Sequence, residues 1–294
     1  MTAHAAGRFS RYAWAVLIYN ILVILWGAFV RATGSGAGCG SHWPLCNGDI
    51  VPRAPEVATV IEFTHRVTSG LALIAVVVLV VWAFRIYPRR HRVRRAAFWS
   101  LVIIVIEALL GAGIVLLEYV EANQSWGRAA YLCAHLTNTL LLISALALTA
   151  WLPTAGPERR FWPLSRRMKA AFVLALLACT TGAIAALGDT VFPATSLAEG
   201  IRSEFAADAP ALLRLRLLHP VVAIGAAIYL FSVGFWMRRE AAAAQWVLAL
   251  VVIQTVAGAV NVALLAPVWM QLLHLLLAAA LWLSLVQLSL QSSR

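Results

Sequence analysis

Apolar residues in this chain run on without a break, where an amphipathic helix or a half-buried strand would interrupt them at regular intervals. A helix needs roughly 20 consecutive apolar residues to cross a hydrocarbon core. Eight segments meet that length: Tyr12–Val30, Val57–Phe84, Ala96–Leu117, Ala129–Leu152, Met168–Leu187, Ala211–Met237, Ala241–Leu265 and Val268–Leu290. The pattern predicts an all-α integral membrane protein with eight transmembrane helices. The seventh and eighth are separated by only a few residues around Pro267.

The pattern also repeats. Ile106-Glu107-Ala108-Leu109-Leu110-Gly111-Ala112 in the third segment returns as Ile253-Gln254-Thr255-Val256-Ala257-Gly258-Ala259 in the seventh, and Gly27-Ala28 returns as Gly182-Ala183. The expectation is two pseudo-symmetric four-helix bundles, residues 1–155 and 156–294, joined through the basic, Pro-containing stretch Pro153 to Pro163. An even number of spans per repeat gives both halves the same orientation. Glycines such as Gly111, Gly113 and Gly258 suit close helix packing.

Composition agrees: 62% of residues are hydrophobic and only 12% charged, against about a quarter charged in soluble domains. The net charge of +11 raises nucleic-acid binding, but the distribution argues against it. Sixteen of the 23 basic residues fall at the start, at the end and in alternate loops, among them Arg8, Arg11, Arg85, Arg89, Arg90, Arg94, Arg95, Arg159, Arg166, Lys169, Arg238 and Arg294. The other loops hold Asp49, Glu56, Glu118, Glu121, Asp189, Glu199, Glu204 and Asp208. This positive-inside asymmetry predicts cytoplasmic termini. The first apolar stretch is long enough to span and lacks a small-residue cleavage site, so no cleavable signal is expected. A bacterial plasma membrane is the simplest address.

Four histidines interrupt the apolar segments: His65, His135, His219 and His274, in the second, fourth, sixth and eighth. Segments of one parity run the same way, so all four imidazoles share a depth, roughly 9–12 Å from the outer surface at 1.5 Å per residue. Ionisable groups inside a membrane are costly and mark sites. Facing imidazoles across a bundle are natural axial ligands of heme iron. The repeat pairs His65 with His135 and His219 with His274, predicting two bis-histidine heme sites.

The halves differ where chemistry is expected. Glu62 lies one turn before His65 and three residues N-terminal to it, where the second half has Arg216 before His219. A carboxylate beside a heme suits proton transfer or stabilisation of developing positive charge; an arginine suits a propionate. Arg66 and Arg216 are the candidate propionate partners, and a Glu62–Arg66 ion pair at i+4 is the plainer alternative for Glu62. The outer loop Thr33-Gly34-Ser35-Gly36-Ala37-Gly38-Cys39-Gly40-Ser41-His42-Trp43-Pro44-Leu45-Cys46 has no cysteine-bearing counterpart. Cys39 and Cys46 read there as a disulfide on the oxidising side, with a metal site including His42 as the alternative. Cys133 and Cys179 read as packing residues, and Glu107, opposite Gln254 in the repeat, as a hydrogen-bonded polar group.

The Thr-Gly-Ser-Gly…Cys…Trp-Pro-Leu-Cys-Asn-Gly run at 33–48, Glu62-x-x-His65-Arg66, and His135, His219 and His274 together resemble the heme A synthase family. The resemblance spans all eight helices. It implies oxidation of a ring methyl of heme O to the formyl group of heme A for cytochrome oxidase assembly. It further implies His65 and His135 as ligands of the substrate porphyrin, Glu62 in the reaction, and His219 and His274 as ligands of a heme b that relays electrons. Cys39 and Cys46 match the family's loop disulfide, while Glu107 stands where a glutamine is expected. The partners implied are heme O, the heme O synthase that makes it, membrane lipid, and a quinone or other electron acceptor. A diheme cytochrome drawing electrons from quinone, or a heme transporter or chaperone, fits the histidines alone. The difference between Glu62 and Arg216 favours an enzyme.

Overall fold

A computed structural model describes residues 3–121, 123–154, 164–239 and 241–292. Its helices are α1 (Ala3–Ala32), α2 (Val57–Ile86), α3 (Arg92–Leu116), α4 (Trp126–Trp151), α5 (Arg166–Val191), α6 (Leu197–Glu204), α7 (Ala211–Arg214), α8 (Leu218–Met237), α9 (Ala243–Ala263) and α10 (Val268–Ser292). Among the described residues there is no strand; Cys46 and Asp49 form an isolated bridge. Among the described residues eight stretches are long and apolar enough to cross a membrane, with α7, a 3-10 turn at Leu215–Leu217 and α8 counting as one, Ala211–Met237.

The expected boundaries move by a few residues, for capping reasons. α3 begins at Arg92 because His91 Nδ1 accepts from Val93 N–H, and α5 begins at Arg166 because Ser165 Oγ accepts from Met168 N–H. Each cap serves a backbone N–H that the first turn leaves without a helical partner. Hydroxyls inside the spans return to carbonyls one turn back, as with Thr64 to Val60 and Ser144 to Leu140. That keeps polar groups satisfied where no water reaches them. The exposed faces are apolar: Val221, Ile224, Ile228, Phe231 and Phe235 form one stripe of α8, Val221 being 71% exposed. Lipid, in place of water, is the solvent such a stripe suits.

The described residues form two compact units: 3–121 with 138–154, and 123–137 with 164–292. The N-terminal part of α4, His135 included, groups with the second unit, and its C-terminal part with the first. The junction expected over Pro153 to Pro163 lies outside the described residues from 155 onward. In the first unit α1 packs on α2 and α2 on α3. The C-terminal part of α4 closes on α1 through Ser10 Oγ, which donates to Ala150 O at 2.9 Å, and the Trp14–Trp151 edge contact. In the second unit α5 packs on α8, α8 on α9, α9 on α10 and α10 back on α5. Ala129, Leu187 and Leu212 make a buried cluster at one end.

Candidate functional site

In the first unit the site grows from the Gly-rich loop that follows α1. Cys39 and Cys46 are joined in a disulfide with an S–S distance of 2.01 Å, and both are buried. With both thiols so used, the alternative of a metal held by these cysteines and His42 is not realised; among the described residues no cluster of metal-ligating side chains is found. The loop lies flat on the start of α2. A Cβ on Gly38 would fall 2.4 Å from the backbone of Ala58, so no other residue allows that approach,. Thr59 Oγ1 donates to Gly38 O at 2.7 Å.

Glu62 is the anchor of this arrangement. It is 3% exposed. Its Oε2 accepts from Cys39 N–H at 2.8 Å, and its Oε1 accepts from Arg66 Nε and Nη2 at 3.1 and 2.5 Å. Arg66 Nη1 donates to His42 O and Leu45 O. The i+4 ion pair expected as the plainer role is therefore present, and it reaches further than expected. One buried carboxylate and one guanidinium tie the disulfide loop to the helix that carries His65.

The imidazole of His65 rests against a bare stretch of α1. A Cβ on Gly27 would lie 2.9 Å from His65 Cε1 and 3.0 Å from Nε2. The same construction occurs twice in the second unit. A Cβ on Gly182 would lie 3.0 Å from His219 Cε1, and one on Gly258 3.1 Å from His274 Cε1. Each of these imidazoles thus faces a glycine of a neighbouring helix, and a side chain there would fill the space beside the ring.

His219 and His274 face each other with ring centroids 6.4 Å apart and planes at 81°. Two imidazoles that each place a nitrogen about 2 Å from one metal have centroids roughly 6 Å apart. Thr181 Oγ1 donates to Leu177 O at 2.8 Å and lies 3.3 Å from His219 Nδ1. Its hydrogen is already committed, so it accepts from Nδ1–H and leaves Nε2 with its lone pair, the arrangement of a ligating histidine. His274 Nδ1 is buried without a hydrogen-bond partner, while its Nε2 lies 3.3 Å from the Gln254 amide nitrogen. A buried ring nitrogen without a partner is uncommon and calls for an acceptor, donor or ion. Donors, spacing and cradle all fit a bis-histidine heme.

Arg216 does not stand open in the second unit. Its Nε donates to Glu204 Oε1 at 2.7 Å, and Nη1 lies 3.3 Å from Asp189 Oδ1. Gly188 gives its stem room, since a Cβ there would meet Arg216 Cδ at 2.5 Å. Both arginines singled out by sequence therefore hold outer segments to the helices. Sequence reasoning missed α6, which supplies Glu204, and the contacts of Thr181 and Gln254. A signal existed for these last two: Thr181 precedes the repeated Gly182, and Gln254 is the repeat partner of Glu107. Glu107 itself accepts from Asn138 Nδ2 at 2.5 Å and from Thr139 Oγ1, the hydrogen-bonded state expected for it. Cys133 and Cys179 are unpaired thiols within helices.

The profile of the COX15-CtaA family, described as "Cytochrome oxidase assembly protein", matches residues 10–286. A Thermus thermophilus protein named "Protoheme IX farnesyltransferase" is 46% identical over 298 residues, covering 98% of this chain and 49% of that protein. A "Heme A synthase" of Exiguobacterium sp. is 32% identical over 154 residues, 52% of this chain and 48% of the relative. Another, from Alkalihalophilus pseudofirmus, is 38% identical over 108 residues, 37% and 36% of the two chains. The chain spans about half the length of the Thermus relative.

Proposed function

We propose that this multi-pass membrane protein, which belongs to the COX15-CtaA family of cytochrome oxidase assembly proteins, is a heme A synthase that oxidises a ring methyl of heme O to the formyl group of heme A. The observation that carries the reading is the unequal equipment of the two units. One has a facing histidine pair with the spacing of axial ligands, and its buried carboxylate, Glu204, stands off the histidine helix on the short α6, paired with Arg216. The other has a histidine cradled by glycine and, one turn away, a buried carboxylate held by a guanidinium. An electron wire needs two similar sites; an oxidase of bound porphyrin needs one site for chemistry and one for electrons.

In this reading His65 is a ligand of the substrate heme in the first unit, and His219 and His274 hold a heme b in the second. A bound heme b would supply one-electron relay to a quinone or other acceptor. The remaining work falls to the chain's own groups. Glu62 Oε2 takes up the proton released at the carbon under oxidation, and the carboxylate's charge favours positive character there. Arg66 holds that carboxylate aimed, and the disulfide loop lies over it through Cys39 N–H. The basic loops face the cytoplasm of a bacterial plasma membrane, placing the histidines and Glu62 toward the outer face.

The Thermus relatives' name raises farnesyl transfer as a second reading. Half of the Thermus protein lies outside the match, and we assign the transferase name to that half. The same comparison supports a heme O synthase as the working partner that supplies the substrate. The test is expression in membranes that make heme O and lack heme A. Wild-type chain should produce heme A; Glu62→Gln should retain bound heme, accumulate heme O and yield little heme A. No heme A from wild type would end the reading, and normal heme A from the variant would reduce Glu62 to an anchor of the loop.

A further inference from the structure

At the opposite end of the first unit from the disulfide loop, the turn between α2 and α3 builds a second, unrelated cavity. Its volume is about 220 Å³, and its walls are Phe84, Arg89, Arg90, Arg94, Arg95, Phe98 and Trp99. We propose that it binds the phosphate headgroup of an anionic glycerophospholipid from the leaflet on the side of the basic loops.

Several observations converge on that ligand. Four guanidiniums line one cavity, and no acid is near: residues 84–99 contain none, and the first unit's described acids, Asp49, Glu56, Glu62, Glu107, Glu118 and Glu121, all lie within or beyond the far ends of the spans. Positive-inside orientation requires basic residues in the loop but not their convergence on one hollow. The turn is folded to converge them. Arg90 adopts the left-handed conformation (φ 68°), His91 N–H donates to Pro88 O, and Arg94 Nη1 donates to Tyr87 O. Arg94 is stacked on Phe84 with its Cζ 4.1 Å from the ring centroid. A guanidinium stacked on its face leaves its N–H edge for an acceptor in the plane, the geometry that suits phosphate. Arg89 and Arg90 are exposed and make no hydrogen bond or ion pair among the described residues.

The aromatic walls decide between a lipid and a free anion. Phe84, Phe98 and Trp99 are 42%, 46% and 56% exposed on membrane-spanning helices at the water boundary. Inorganic phosphate has no use for apolar walls; the glycerol and upper acyl chains of a lipid do, and aromatic rings favour that interfacial depth. A basic pocket between helices at the membrane surface is the shape that headgroup recognition takes elsewhere.

The test uses the full chain, purified, stripped of lipid and offered equal parts phosphatidylglycerol and phosphatidylcholine, with retained lipid counted by native mass spectrometry. Phosphatidylglycerol should be retained in preference. One arginine near an anionic surface is worth roughly fivefold, so Arg89→Gln/Arg90→Gln should lower the preference roughly tenfold or more. Arg238→Gln/Arg239→Gln removes equal charge from another basic loop and should lower it by less than about twofold. Arg94→Gln alone should lower it roughly fivefold. Equal retention of both lipids, equal losses from the two double variants, or displacement of the lipid by inorganic phosphate at matched concentration would each overturn the proposal. The last result would assign the cavity to a free anion.

Discussion

Replacing Gly27 with alanine adds one methyl group, and the structure says what it meets: His65 Cε1 at 2.9 Å and Nε2 at 3.0 Å. Non-bonded carbons rest about 3.5–4.0 Å apart, so the ring must retreat by roughly 0.5–1 Å. Metal–ligand distances hold to within about 0.2 Å, so the retreat exceeds what ligation tolerates. Overpacking costs about 1–3 kcal/mol, and alanine in a helix recovers about 1 kcal/mol relative to glycine. The net loss of folding stability is therefore at most about 2 kcal/mol. Gly70→Ala in α2 is the control, because nothing lies within 4 Å of its added Cβ. Both variants would be purified from heme-replete membranes and compared by heme per protein, ligand-field spectrum and thermal midpoint. Gly27→Ala should fold, with porphyrin affinity at the first site down by about tenfold or more, each tenfold being 1.4 kcal/mol. Gly70→Ala should bind normally. Equal occupancy in the two variants would refute the reading of Gly27 as the wall that positions His65.

Unreduced protein should resist alkylation at Cys39 and Cys46, and reduction should destabilise the loop by about 2 kcal/mol from loop closure alone; free alkylation under oxidising conditions would remove the disulfide. His91 caps α3 as a neutral acceptor, and burial together with Arg92 holds its pKa below the ordinary histidine value. Unfolded chain then binds the proton more readily, so the cap's contribution is full above the ordinary value and declines as pH falls below it. The protection factor of Val93 N–H, with the intrinsic pH dependence of exchange divided out, should be high at neutral pH and fall only in acid; a fall on raising the pH would contradict the sign. A cysteine placed near Asp208 should react with a membrane-impermeant reagent and one near Arg90 should not, the reverse pattern inverting the topology.

The eight spans were legible because lipid demands unbroken apolar length, a property visible without any partner. The four histidines stood out for the same reason, each being the rare ionisable group in such a run. What faces them was less legible. Gly258 read only as a packing glycine, and Gly27 and Gly182 only as marks of the repeat, since periodicity does not say which side chain a bare helix face meets. The grouping of residues 123–137 with the second unit was not readable at all. α4 is apolar around most of its circumference, so composition cannot choose its neighbours. Glu62 was singled out by position, yet its bond to Cys39 N–H depends on Gly38 lying against Ala58, a loop conformation with no periodic signature. Arg216 was read as open to a propionate, because Glu204 sits on a short helix whose eight residues resemble an ordinary polar loop.

Each glycine–histidine contact joins one membrane span to the next in the chain: α1 to α2, α5 to the Ala211–Met237 span, α9 to α10. The wall of each of these three imidazoles therefore arrives in the membrane together with the imidazole, within a single helical hairpin. Pairing is different. His219 is in place two spans before His274, and α10 is the last described span to be made. A nascent chain halted before α10 presents one imidazole where two are needed, however well its earlier hairpins have settled. If the second unit holds heme as proposed, tight retention there reports that synthesis has passed α10, and a chain interrupted before it should emerge heme-free.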